Sequence, residues 1–223
     1  MLDYILSKLN MLILVTALFA IGSYFAFYLA QSLEKQQADT VLSQITEDAF
    51  GVINSSSICH EVTLTLPPYI NTLGRSEGGN KLYYLFQINS QENVLADLST
   101  DPANALIFSI RTKKDNQVLS AQRIVTNAHI QIFEWDARSG TTDPLTALKI
   151  PVPDALGNIF VTLNPVAAPT PPENAVKLVK EVYNGETYLY VIPCSSRVHQ
   201  CETNYGYAVA RIKSTRLGGV YNC

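Results

Sequence analysis

The chain holds no Gly-x-Ser-x-Gly elbow, no glycine-rich phosphate loop leading into a helix and no His-Glu-x-x-His. The motifs that announce serine hydrolases, nucleotide-binding enzymes and zinc peptidases are therefore missing, and no catalytic activity and no cofactor are expected. Cysteines never come as Cys-x-x-Cys and histidines never as His-x-x-x-His, which speaks against a tetrahedral zinc site even though His60 and His199 lie beside or near cysteines. Charge is scarce, 16 % of the residues, with 16 Lys and Arg against 19 Asp and Glu. No basic field exists to draw nucleic acid. A repeat of solenoid or propeller length is also absent.

Charge disappears altogether between Lys8 and Glu34, and 18 of the 22 residues from Leu9 to Ala30 are apolar. A helix rises about 1.5 Å per residue, so roughly 20 apolar residues cross a hydrocarbon core of about 30 Å. Residues 9–30 thus read as a transmembrane helix in contact with lipid, and no second run of this length follows. A signal peptide would have a shorter apolar region, about 7 to 15 residues, closed by small residues. Here Phe25, Phe27 and Tyr28 surround Ala26 and Ala30, which favours retention. Lys8 and the amino terminus face Asp3 on one flank, while Glu34, Lys35 and Asp39 open the other. That slight positive bias points residues 1–8 to the cytoplasm as a short stub and the remainder to the outside. Tyr4, Tyr24 and Tyr28 are placed to act as interfacial anchors.

The helix is expected to continue. Leu33, Val41, Leu42, Ile45, Ala49, Val52 and Ile53 recur with helical spacing among Glu34, Lys35, Gln36, Gln37 and Ala38, and no Pro or Gly intervenes before Gly51. Asn54-Ser55-Ser56-Ser57 ends the pattern, so residues 31–57 form an amphipathic stalk. Its stripe either packs on the protein's own globular part or makes a lateral contact between subunits through Val41, Leu42, Ile45 and Ala49. A fragment starting at Asn54 is expected to be soluble.

Past the stalk, residues 58–223 alternate with period two. Val62, Leu64 and Leu66 oppose Thr63 and Thr65, and comparable runs cover Leu82 to Ile88, Ala105 to Arg111, Val118 to Val125 and His129 to Trp135. Asn158 to Leu163, Val176 to Tyr183, Thr187 to Ile192 and Tyr207 to Lys213 extend the set to about nine strands. Asn184-Gly185 favours the positive φ angles of a type I′ hairpin, and Lys114-Asp115-Asn116 marks another turn. No helical pattern separates the strands, so the fold class is mainly β: an antiparallel sandwich or open barrel on a helical stalk. The four prolines from Pro165 to Pro172 form an extended connector. The part after it is too short for a core of its own, and one domain crossed by a loop is expected.

Four cysteines, Cys59, Cys194, Cys201 and Cys223, fall on one side of the apolar segment. An even number in an extracytoplasmic domain argues for disulfides. Three pairings exist; Cys194 with Cys201 closes the smallest loop and leaves Cys59 for Cys223. Glu134-Trp135-Asp136 puts two carboxylates on one strand face, an arrangement that is more often solvated than acid/base machinery, and Trp135 reads as core. His129 is a lone histidine within a strand. Asn54-Ser55-Ser56 is an N-glycosylation sequon just above the stalk. From Asn54 onward, 14 basic residues balance 14 acidic ones, so the net charge of −3 belongs to the amino-terminal helix.

An apolar amino-terminal helix whose second half is amphipathic, followed by a β domain with cysteines near the carboxyl end, resembles the layout of type IV pilins and pilin-like proteins. The bacterial glutamate just inside the apolar helix has no counterpart, since no acid lies between Asp3 and Glu34, and no glycine precedes the run. Lys-Glu-Val-Tyr-Asn-Gly before Tyr188-Leu189-Tyr190-Val191 is similar to uncharacterised archaeal membrane-anchored surface proteins. The resemblance implies a cell-surface structural or adhesion subunit, with a homo-oligomer formed through the amino-terminal helix. A membrane-tethered binding or accessory domain of an envelope complex, acting as a monomer, is the alternative.

Overall fold

The computed structural model describes residues 2–71, 81–95, 102–135, 148–155, 157–166, 173–195, 200–216 and 219–223. One helix, α1 (Leu2–Ile53), runs unbroken for 52 residues, about 78 Å at the usual rise. It stops where the sequence changes character: Asn54 donates both its backbone amide, at 3.0 Å, and its side-chain amide, at 3.1 Å, to the Phe50 carbonyl in the last turn.

Two four-stranded sheets follow. The first is ordered β1 (Cys59–Thr65), β11 (Ala175–Tyr183), β12 (Glu186–Cys194), β7 (His129–Ile132). The second is ordered β10 (Ile159–Leu163), β4 (Tyr84–Leu95), β5 (Pro102–Thr112), β6 (Val118–Thr126). Two small ribbons complete the strands among the described residues, β2 (Ile70–Asn71) with β3 (Lys81–Leu82) and β8 (Glu134–Trp135) with β9 (Leu148–Lys149). The layout is the expected one, a mainly β region behind a long helix, and the sheets do not close into a barrel. Among the described residues, pairing is antiparallel except between β12 and β7. That parallel pair arises because the chain visits the second sheet between Ile132 and Glu186, and a long crossover is what parallel neighbours require.

Both sheets and α1 share one core. Phe86, Ile88, Phe108, Ile110 and Val161 from the second sheet meet Leu64, Leu178, Leu189 and Val191 from the first. Ala38, Leu42, Ile45, Ala49, Val52 and Ile53 of α1 are buried among them. The stripe therefore packs on the protein's own domain. Leu42, Ile45 and Ala49 are buried within the chain, and Val41 is half-buried against the same core. For the same reason, a fragment starting at Asn54 would lack one wall of the core.

The outer face of the first sheet is covered by α2 (Gln200–Thr215). Here the expected strand at Tyr207 to Lys213 is overturned. Asn204, Ala208 and Ile212, spaced by four, form the buried side, a helical period that outweighs the short alternation within it. Ala208 and Ile212 meet Val179, Tyr190, Ile192 and Phe133 in a second core. With α2 on one side and the main core on the other, β11 and β12 are buried on both faces nearly throughout. Asn184 and Gly185 have φ of 53° and 83°, the geometry of the expected hairpin turn. Asn116 at 57° ends the other turn, between β5 and β6.

Candidate functional site

Three features of the fold have chemistry to offer: the bare half of α1, the joint at its end, and a charged cluster under α2. From Leu9 to Leu29 the large apolar side chains of α1 stand more than half exposed. Water would penalise such a surface, whereas hydrocarbon would not. The polar atoms in this stretch are looked after locally: the Thr16 hydroxyl donates to the Leu12 and Ile13 carbonyls at 3.0 and 2.9 Å, as a lipid environment demands. On the flank, the Lys8 ammonium lies 4.6 Å from the Tyr4 ring centre. Among the described residues one helix is long and apolar enough to cross a membrane.

At the far end of α1 the chain is clamped to the first sheet. Lys180, almost fully buried, donates its ammonium to the Ser55 carbonyl just past the helix, where a cation also suits the negative end of the helix dipole. The Val182 amide donates to the Ile58 carbonyl at 2.8 Å. Cys59 and Cys223 are joined by a disulfide, as are Cys194 and Cys201. The first disulfide fastens the start of β1 to the tail that follows α2; the second fastens the start of α2 to the end of β12.

The tail is held by Glu181, whose side chain is 0 % exposed. Arg216 grips both carboxylate oxygens at 2.8 Å, the Tyr190 hydroxyl donates at 3.0 Å and the Asn222 amide at 2.7 Å. Burial raises the carboxyl, but Arg216, the Asn222 amide and Tyr190 together outweigh it and hold Glu181 below the usual range. The Arg216 guanidinium also lies 4.0 Å from the Tyr183 ring centre and 5.3 Å from that of Tyr188. Four residues earlier on β11, Lys177 is 3 % exposed and pairs with Glu61 at 3.2 Å and Glu202 at 3.1 Å. Glu181 and Lys177 are thus each paired with opposite charge.

The residues singled out from sequence are dispersed. His129 is exposed, stacks on Tyr188 at 5.2 Å and lies 3.6 Å from Glu186; His60 is exposed on the first strand. His199 and Asp136 lie outside the described residues, and Trp135 is described in its backbone only. Glu134 is brought to Glu173 instead, whose carboxyl is pushed up by burial and by that neighbouring charge. No group of three or more potential metal ligands occurs among the described residues, and all four cysteines are bridged. Asn54 is exposed. Lys177, Lys180 and Glu181 were not singled out, although their signal was there: three charges inside the apolar run Ala-Val-Lys-Leu-Val-Lys-Glu-Val of β11.

The bare helix and the two disulfides are compatible with a membrane-anchored protein whose β domain lies outside the cytoplasm. Comparison with protein-family models, curated proteins and solved structures gave no match.

Proposed function

We propose that the chain is a single-pass membrane-anchored surface subunit of structural or adhesive type, with residues 9–30 in the bilayer and the β domain outside the cytoplasm. One observation carries this reading: a continuous helix is bare and apolar in its first half and built into the domain core in its second. A flexible tether would let the domain swivel. Here the same helix is anchor and core element, so the orientation of the domain follows from that of the helix. That arrangement supports the pilin-like resemblance. Bacterial or archaeal envelopes carrying the labelled protein should show filaments or a coat under the electron microscope. Recovery of the full-length chain in the aqueous fraction without detergent would overturn the anchor.

The second reading, a tethered accessory domain acting as a monomer, is favoured by one specific fact. The amphipathic stripe, including Leu42, Ile45 and Ala49, is consumed within the chain's own core. Scattered single particles in the same images, with cross-linking in native membranes yielding monomer alone, would select it over the filament or coat.

A further inference from the structure

The end of the domain nearest the anchor is built from a defined set of loops. The groove between α1 and β1 is lined by Val41, Ile45, Leu64 and Pro67, so β1 runs back along the helix and Pro67 lies at its lower end. Pro67 accepts a 2.7 Å hydrogen bond from the Tyr84 hydroxyl, and Tyr84 pairs with Thr112. The 113–115 turn between β5 and β6 therefore points the same way, as do Tyr69, Lys81 and Tyr83 around the β2–β3 ribbon. On the helix, Ala38 is fully buried, and half-buried Gln37 and Glu34 continue the covered face one turn lower. Glu34 is four residues from Ala30, about 6 Å along the axis, whereas the headgroup layer outside the hydrocarbon is about 5 to 8 Å deep.

That pole carries lysine and tyrosine. Lys113, Lys114 and Lys81 are exposed; the Lys81 ammonium lies 4.4 Å from the Tyr69 ring centre, and Tyr69 meets Tyr83 edge-on at 6.4 Å. The one acid in the turn, Asp115, is already engaged by the Thr112 hydroxyl, which holds its carboxyl below the usual range. We infer that this pole is a second lipid contact, in which Lys81, Lys113 and Lys114 engage the phosphate groups of anionic phospholipids in the bilayer that holds α1. Lysines beside a membrane anchor attract anionic lipid, and tyrosine rings suit the headgroup layer. The inference rests on the anchor reading, and it makes the domain sit down on the membrane rather than stand clear of it.

The full chain, placed in nanodiscs of purely zwitterionic phospholipid or of a mixture rich in phosphatidylglycerol, tests it by amide hydrogen exchange. In the anionic discs the amides of the 113–115 turn should exchange roughly fivefold more slowly, the factor expected from about one lysine's attraction. The protection should vanish in about 1 M salt, where the screening length falls to about 3 Å. It should vanish as well in a variant combining Lys81→Gln, Lys113→Gln and Lys114→Gln, all surface changes. Equal exchange in both kinds of disc, or protection that survives the triple change, overturns the lysine contact while leaving the anchor intact. A chain that enters neither disc overturns both.

Discussion

Glu181 shows how a charge survives in a strand covered on both faces: every acceptor site of its carboxylate is occupied, by Arg216, Tyr190 and Asn222. Removing one member of such a pair costs about 3 to 5 kcal/mol, because the other charge remains buried without compensation. Glu181→Gln should lose stability of that order in urea unfolding at pH 7. The pH dependence has a definite sign. Because the folded carboxyl lies below its unfolded value of about 4.3, the unfolded chain binds the proton first on acidification. The stabilisation is present in full above that value and is lost as pH falls through the folded one. The gap in unfolding midpoint between the parent and Glu181→Gln, measured from pH 7 to pH 3, should therefore narrow as pH falls below about 4.3. A constant gap across that range would show that the charge is not what stabilises.

At the scale of elements, the Asn184-Gly185 turn joins the two most buried strands, and Gly185 sits at φ 83°. A β-branched residue is strained there, so Gly185→Val should cost on the order of 1 to 3 kcal/mol, read as a lowered unfolding midpoint with the disulfides intact. The second half of α1 is a core element in the same sense as a strand. Leu42→Ala should cost about 2 to 5 kcal/mol of folding stability, and should do so in dilute, monomeric protein. If the change left stability untouched and altered only association, the burial of the stripe against its own sheets would be refuted. The helix α2 was misread from sequence because Tyr207 to Lys213 alternates over a few residues, too short a window for period two to be told from period 3.6. The stripe Asn204, Ala208, Ile212 becomes visible only when the helix is extended back to the disulfide at Cys201.

For the whole molecule, the dividing line between anchor and domain falls within a helix. Residues after Glu34 include all six helix side chains of the core, and burying a large aliphatic one is worth about 1.5 to 3 kcal/mol. A fragment beginning at Glu34 should be soluble and show cooperative unfolding, whereas one beginning at Asn54 should lack fixed tertiary structure, as near-ultraviolet circular dichroism would report. The Cys59–Cys223 bridge spans 164 residues of sequence and closes the domain where the helix ends. Cys223→Ser should cost about 2 to 5 kcal/mol and leave the anchor unaffected, so that membrane partition is unchanged while the urea midpoint drops.

Much of this plan was legible in the residues themselves. The uncharged run, the amphipathic continuation, its end at Asn54, the strands of both sheets and the Asn184-Gly185 turn all depend on local pattern: composition, period and the φ preferences of single residues. Disulfide pairing was narrowed by loop length, since Cys194 and Cys201 are close in the chain, but Cys59 and Cys223 meet only because β1 and the tail after α2 both lie beside β11. What covers each apolar face was decided by tertiary structure. The stripe on α1 could have met another subunit as well as its own sheets, because exposed apolar area is non-directional and any apolar partner satisfies it. On β11, α2 and the terminal tail cover Lys177 and Glu181, while Lys180 reaches the chain just past α1. Their partners, Glu61, Glu202, Ser55, Arg216 and Asn222, come from four separate stretches of chain, and a sequence carries no record of proximity between residues that only folding brings together.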